Sequence, residues 1–241
     1  MNQTFTQAVP FNEAATEWAD CNHFDGGRIA ALKYAFNPKR KIYEWTETGP
    51  LLTCPHPLTE ASLVRFGTDW VVAARTSQEV GGVAWSRTPD PFAAMPPPVF
   101  PDILKSNAPI TAYMCPDGIS RLFGGDTAAS PYGNGRNPLY CWEVDPDDGF
   151  ACGNRREIFD SVKAGLPIRH RPTVDMCKLL PHAGGKSQFI AHRIRPKSTR
   201  DPAYTGHAIT DQEVECSGIY YARIDYGETW PGMWSFEPES E

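Results

Sequence analysis

Short runs of apolar residues, five to seven residues long, recur along the chain and are separated by polar turns. The clearest example consists of residues 61–66, a turn at 67–69, residues 70–75, residues 82–87 and, after a proline-rich link, residues 99–100. Runs of this length that are bounded by Gly, Asp or Pro are typical of β-strands joined by tight turns. This part of the chain therefore predicts a group of four antiparallel strands.

The same succession of strands occurs four times, at starting points 43, 49 and 64 residues apart. A four-stranded propeller blade takes roughly 40 to 50 residues. The pattern predicts an all-β chain in which residues 1–241 form a single β-propeller domain with about four recognisable four-stranded blades, as a small ring or an incomplete part of a larger one. The four predicted first strands begin near Trp18, Ala61, Ile110 and Val174. The remaining predicted strands are 28–36, 41–46 and 51–52 in the first copy, 119–124, 139–144 and 156–159 in the third, and 187–193 and 218–225 in the fourth.

Two insertions interrupt this spacing, and both carry Gly, Pro, Ser or Asn where strand residues are expected. Residues 128–137 lengthen the third copy and residues 196–216 the fourth, so both are predicted to be loops. Long loops on a compact scaffold either form binding sites or are tolerated surface insertions. Residues 145–149, with the sequence Asp-Pro-Asp-Asp-Gly, are too few for a calcium loop and predict a hairpin turn instead. No metal or cofactor motif is present, so neither is expected.

The composition of the chain limits the kinds of partner and site that are expected. Aromatic residues make up 12% of the chain and are spread over its length, which favours strands over helices. A net charge of −6 argues against nucleic acid as the main partner, because binding its backbone needs clustered cations. The seven cysteines include no Cys-x-x-Cys pair, so neither a zinc knuckle nor a redox motif is expected. Residues 1–10 lack the features of a secretory signal, and no apolar run could span a membrane. The expectation is a cytoplasmic protein without a membrane partner, or a secreted or periplasmic one if the chain is a fragment.

One stretch resembles a known family. Residues 60–66, a turn and residues 70–75 run from Glu60 to Arg75 in the order of the sialidase stretch E-x-x-(apolar)₂-x-L-x-D-G-x-(apolar)₃-x-x-R. Residues 82–90 resemble the strand that leads into the Asp-box, and residues 219–224 are similar to that family's closing blade. The chain thus resembles the sialidase and neuraminidase superfamily, also called the BNR or Asp-box superfamily. The resemblance implies a glycosidase in which Glu60 assists a nucleophilic Tyr and Arg75 helps to bind the carboxylate of sialic acid.

The chain also departs from this family at three places. Val174 stands where the nucleophilic Tyr would begin the fourth blade, and the early Arg has no counterpart in the first copy. The Asp-box lacks its Gly and Trp. Any hydrolysis would then use carboxylates, or a carboxylate and a His, in place of the Tyr and Glu pair. Two hypotheses therefore stay open, a glycoside hydrolase that acts on an acidic or modified sugar and a catalytically inactive propeller that binds carbohydrate or protein.

The innermost strands of a propeller line one central mouth, so polar residues from several blades converge there. Glycosidic cleavage needs one protonated acid and one ionised carboxylate, and the candidates for catalysis are chosen for that chemistry. Arginines and further polar groups could bind an acidic sugar by bidentate hydrogen bonds, or could form ordinary ion pairs. The catalytic candidates are Glu60, Asp20, Asp175 and His192. The substrate-binding candidates are Arg75, His23, Arg171, Arg193 and Asp126.

Overall fold

The computed structural model describes residues 4–11, 28–76, 82–101, 108–132, 135–167, 173–181, 187–195 and 210–226. Over these residues the chain is all-β apart from one short helix. The elements in chain order are β1 Thr4–Phe11, β2 Arg28–Asn37, β3 Ile42–Thr48, β4 Leu58–Phe66, β5 Asp69–Thr76, β6 Val83–Thr88, β7 Thr111–Met114, β8 Ser120–Gly124, β9 Leu139–Asp145, β10 Ala151–Phe159, β11 Thr173–Pro181, β12 Ser187–Arg195, α1 Asp211–Glu215 and β13 Gly218–Asp225.

The strands form four sheets, each made of strands that follow one another in the chain. Their orders are β1-β2-β3, β4-β5-β6, β10-β9-β8-β7 and β11-β12-β13. The pairs from β1 to β3, β4 to β6, β7 to β9 and β11 to β13 are antiparallel. The predicted groups of three or four antiparallel strands are thus confirmed. The chain divides into two compact units, one of Met1–Lys105 with Asp145–Ala151 and one of Ser106–Val144 with Cys152–Glu241.

In the first unit, the second predicted copy is present as β4, β5 and β6. The β4–β5 hairpin closes through Gly67 and Thr68, and Gly67 has a positive φ of 57° that a glycine adopts without steric cost. Strand β5 is central and buried along most of its length, which explains its continuous apolar sequence. Only one bridge, from Val99 to Trp85, represents the predicted fourth strand. The core of this unit contains Ile29, Leu52, Leu58, Val72, Ala74 and Ala84.

The first predicted copy corresponds to the sheet that contains β2 and β3. One edge of β2 pairs with β1, Thr4–Phe11, and the other pairs with β3. Leu52 bridges Ile29 of β2, so residues 51–52 do not add a fourth strand. Residues 12–27, which include the predicted strand, lie outside the described residues.

In the second unit, β7 to β10 match the third predicted copy, and β11 to β13 match the fourth. Their shared core contains Cys115, Phe123, Leu139, Cys141, Val174, Cys177, Leu179, Ile190, Ile194 and Tyr226.

The turn that joins β9 to β10 was predicted at residues 145–149 and is present there. Its first residue, Asp145, accepts hydrogen bonds from the main-chain N–H groups of Asp147 and Asp148 through its side chain. Gly149 has a positive φ of 55°, as such turns often require.

Helix α1 lies inside the insertion 196–216 that was predicted to be a loop. Thr210 caps its N-terminus, and the side chains of Thr210 and Glu213 each accept a hydrogen bond from the other's main-chain N–H group. The sequence pattern of this capping box, Thr-x-x-Glu, is typical of the start of a helix. Its two hydrogen bonds stabilise the first turn of α1. Over the part of the chain described, no helix has the length and apolar character needed to cross a membrane.

Candidate functional site

Glu60 occupies an irregular position near the start of β4. Thr59 pairs with Arg75 and Ala61 pairs with Ala74, so Glu60 is the extra residue of a β-bulge. In a regular strand, neighbouring side chains point to opposite faces, whereas a bulge sets two residues against one. The bulge therefore brings the carboxylate of Glu60 to the side of Arg75. Its φ of 46° lies in the left-handed region, which costs a residue other than Gly about 1–2 kcal/mol.

Arg75 binds this carboxylate from the neighbouring strand. Its Nη1 donates a hydrogen bond to Oε2 of Glu60, a contact that is expected because the two residues stand at the two ends of one hairpin, which meet at the same edge. The Arg75 side chain is 4% exposed, whereas that of Glu60 is 29% exposed. A buried guanidinium thus holds a carboxylate that still reaches solvent. Hydrogen bonds between charged groups are stronger than those between neutral ones, so this contact positions a carboxylate that is still partly exposed.

The strand ends next to this pair are held together by Thr76. Its hydroxyl donates to the carbonyl oxygen of Gly82 at 2.9 Å and accepts from the Gly82 N–H at 3.0 Å. Thr76 is fully buried, so these bonds are shielded from water. They fix the end of β5 against the start of β6, directly after Arg75. The position of the guanidinium is therefore set by a rigid edge of the sheet.

Asp126 follows β8 in the second unit and forms a turn. Its Oδ1 accepts the main-chain N–H of Ala128 at 2.9 Å, and its carbonyl oxygen accepts that of Ser130 at 3.0 Å. Arg155 lies 3.7 Å from its Oδ2. Asp126 is 7% exposed, so its described contacts are those of a buried turn residue.

A polar network that the sequence did not reveal lies after this turn. The hydroxyl of Tyr132 donates to Asp160 at 2.7 Å, and Asp160 also accepts the main-chain N–H of Val162 at 2.9 Å. Desolvation and the hydrogen bond to Asp160 raise the pKa of Tyr132 to about 12. Tyr132 is thereby held protonated, which suits anchoring of the loop and not nucleophilic attack. Tyr132 and Asp160 are 28 residues apart in the sequence. The sequence therefore indicated turns at these places but not the contact between the two side chains.

His192 lies on β12 and is 1% exposed. Its ring is 4.6 Å from that of Phe159 and 6.3 Å from that of Tyr220, measured between centroids. Among the described residues, neither ring nitrogen has a hydrogen-bond partner. Burial lowers the pKa of His192 below its ordinary value, so the ring is neutral near pH 7. This environment is that of an aromatic core residue and does not favour proton donation to a solvent-borne substrate.

Two further candidates face each other in the same sheet. Asp175 on β11 pairs with Arg193 on β12 in the antiparallel register, and Arg193 is half-buried. Directly opposite residues in a sheet lie on the same face. The structure thus brings the backbones of Asp175 and Arg193 together near the start of β11.

Three of the candidates lie outside the described residues, namely Asp20, His23 and Arg171. Their roles stay predictions. Within the described ranges, no group of three or more His, Cys, Asp or Glu side chains is arranged to hold a metal ion.

The chain is similar in fold to several solved structures, all at low sequence identity. The chain is similar to a solved protein of unknown function from Dyadobacter fermentans, with a TM-score of 0.51 and 9% identity over 92% of this chain and 50% of that one. It is also similar to Trypanosoma rangeli sialidase, with a TM-score of 0.45 and 7% identity over 81% and 27% of the two chains. A GH43 β-1,3-galactosidase gives a TM-score of 0.47 and 10% identity over 80% and 44%.

These likenesses concern the fold. The chain spans between about a quarter and a half of the length of the three solved structures. No protein-family model matches the sequence, and the curated proteins include no match.

Proposed function

We propose that this chain is a carbohydrate-active propeller protein of the glycoside hydrolase type, which acts on or binds an acidic or modified sugar. The observation that carries the proposal is the Glu60–Arg75 pair, in which a β-bulge with left-handed backbone sets a partly exposed carboxylate on a buried guanidinium. Strained backbone of this kind tends to persist where function requires it. The two residues are also those to which the sialidase resemblance of the sequence assigns a role.

The chemistry of the pair suits one half of glycoside hydrolysis. Arg75 holds the carboxylate of Glu60 in place, and Glu60 serves as a base that activates water or as a nucleophile at the anomeric carbon. The side chain of Glu60 is 29% exposed, so its carboxylate is the group proposed to meet the sugar. A second group must protonate the leaving oxygen, and Asp20 is the carboxyl group proposed for it. Asp175 and His192 belong to the second unit and are not assigned to this step.

The experiment is turnover of a panel of aryl glycosides, including aryl sialosides, by the wild type and by Glu60→Gln. Gln keeps the shape of the side chain and removes its charge, so kcat should fall by about two orders of magnitude or more. Glu47→Gln is the matched control, because Glu47 is an exposed carboxylate in an ion pair with Lys33 of the same unit. Equal activity of Glu60→Gln and the wild type on a cleaved substrate would refute the role of Glu60.

A second function, binding of the sugar without catalysis, is favoured by one observation at the fourth sheet. Val174 stands where the resemblance would place the nucleophilic Tyr, and it is buried in the core. If none of the glycosides is cleaved, calorimetric titration with a sialyl-oligosaccharide distinguishes the two functions. Saturable binding that Arg75→Met weakens supports the binding protein, whereas the absence of both turnover and binding contradicts both functions.

A further inference from the structure

The hairpin formed by β2 and β3 carries four aromatic residues on one face. Tyr34 is paired with Trp45, and Phe36 is paired with Tyr43, in the antiparallel register. Residues two apart on a strand lie on the same face, so the two pairs form adjacent rungs roughly 7 Å apart. We call these four residues, Tyr34, Phe36, Tyr43 and Trp45, the aromatic platform.

The platform is open to solvent and held in place. Trp45 is 58% exposed and Tyr43 is 46% exposed, although most residues of this type are largely buried. The rings of Phe36 and Tyr43 contact each other with centroids 5.2 Å apart, and the indole N–H of Trp45 donates to the carbonyl oxygen of Glu47 at 3.0 Å. An exposed cluster of aromatic side chains on one face often marks a site at which a ligand or partner binds.

The charges around the platform are already paired. Arg40 binds Glu44 at 2.6 Å, and Lys33 binds Glu47 at 3.1 Å. Glu44 is opposite Ala35 in the register, which places it on the other face of the hairpin. The platform itself therefore carries no net charge, so it fits an uncharged ligand better than an acidic one.

The size of the platform decides between a small ligand and a protein. An aromatic side chain can bury about 150–250 Å², so Trp45 and Tyr43, which are about half exposed, offer roughly 150–250 Å² together, and the partly buried Tyr34 and Phe36 add less. A stable protein interface needs about 800 Å² on each partner. The platform is therefore too small for a second copy of the chain and large enough for a few sugar rings.

We infer that the aromatic platform binds a neutral polysaccharide by stacking against the apolar faces of its pyranose rings. The C–H groups on such a face lie against the negative face of an aromatic ring, and the tyrosine hydroxyl groups meet the sugar hydroxyls. Tyr34, the platform residue nearest to Ile29 along β2, is five residues or about 17 Å from it, and Ile29 belongs to the core cluster that contains Leu58 of β4. The platform includes no residue of β4 or β5, and the inference does not depend on catalysis at Glu60.

The test is native affinity electrophoresis of the full chain in gels that contain soluble β-glucan, galactan or xylan. The wild type should be retarded by at least one of these polymers. Trp45→Ala and Tyr43→Ala should each weaken that retardation about tenfold, as expected for loss of one stacked ring. Thermal unfolding of each variant shows whether it is folded, and exposed positions of this kind rarely affect folding.

Tyr221→Ala is the matched control. Tyr221 is a 63% exposed tyrosine on β13, outside the platform, so this variant should be retarded like the wild type. Glu60→Gln should be retarded like the wild type, which separates this inference from the proposed function. Lack of retardation of the wild type by all three polymers would overturn the inference. So would a concentration-dependent dimer in light scattering that Trp45→Ala abolishes, since the platform would then bind a second copy.

Discussion

Among the described residues, each unit has one buried arginine that binds a carboxylate, and the two arginines are arranged differently. Arg121 in the second unit binds both oxygens of Asp117 at 2.7 Å and reaches Glu143 at 3.3 Å, and its guanidinium lies 5.3 Å from the ring centre of Tyr226. Arg75 in the first unit binds the bulged Glu60. Both arginines are at most 7% exposed.

The difference indicates which centre is structural and which is a candidate for function. Asp117 lies in the β7–β8 turn and Glu143 on β9, so Arg121 joins neighbouring elements without irregular backbone at either carboxylate. Glu60 reaches Arg75 only by means of a bulge and a positive φ, which cost free energy. A pair that serves stability alone does not need such a cost. This comparison supports the proposal that Arg75 and Glu60 act on a ligand, whereas Arg121 joins elements of the fold.

The largest expected effect on stability is that of Arg121→Met. This change leaves Asp117 and Glu143 without their shared cation, so the free energy of unfolding should fall by about 3 kcal/mol. Urea unfolding followed by circular dichroism measures it. Arg223→Met is the control, because Arg223 forms an exposed ion pair with Asp225 and should change stability by at most about 0.5 kcal/mol. If the two variants are equally stable, Arg121 does not have the structural role described above.

A third buried group, His192, extends the comparison to a side chain without a carboxylate partner among the described residues. Its pKa in the folded chain lies below the ordinary 6.5, so the unfolded chain binds the proton more tightly. Its contribution to stability is then complete above pH 6.5 and is lost as the pH falls below it, by up to about 1.4 kcal/mol per pH unit.

The variant His192→Phe keeps the aromatic contacts with Phe159 and Tyr220 and cannot be protonated. Thermal unfolding between pH 7 and pH 5 should show a smaller loss of stability for this variant than for the wild type. If both lose stability equally with falling pH, His192 is not a buried neutral group.

The smallest effect concerns the cost of the left-handed backbone. Lys41, at the tip of the β2–β3 hairpin, has a φ of 53°, close to that of Glu60, but is exposed. Lys41→Gly should stabilise the chain by about 1 kcal/mol, because Gly adopts this conformation without steric cost. Glu60→Gly should gain less or lose stability, because it also leaves Arg75 without its carboxylate. Differential scanning calorimetry of both variants measures the difference. An equal gain in both would mean that the bond to Arg75 contributes nothing.

Much of the fold could be predicted because its strands depend on local patterns. Residues 70–74 and 189–191 are apolar and lie inside predicted strands, and the strands are there. β1 was missed because Thr4–Phe11 mixes polar residues with Pro10, a residue that an edge strand tolerates since its missing N–H need not pair. Helix α1 was missed although its capping box was present in the sequence.

The candidate site was predictable in part for a similar reason. A hairpin returns the chain to its starting edge, so the contact of Glu60 with Arg75 followed from the sequence. The bulge did not, because no Gly marks position 60. The burial of His192 depends on Phe159 and Tyr220, which belong to other strands, so no local pattern could indicate it. The aromatic platform was visible as alternating aromatic residues, but its exposure depends on how the hairpin packs.

The most direct test of the central claim compares Glu60→Gln with Asp117→Asn on the same cleaved aryl glycoside, with kcat/KM and thermal stability measured for both. We expect Glu60→Gln to lose about a hundredfold in kcat/KM and about 1 kcal/mol or less in stability, since Gln still accepts a hydrogen bond from Arg75. Asp117→Asn should keep kcat/KM within about threefold and lose about 2 kcal/mol, as expected when a partly buried bidentate pair is broken. The reverse result, with full activity in Glu60→Gln and lost activity in a folded Asp117→Asn, would contradict the assignment of the two centres.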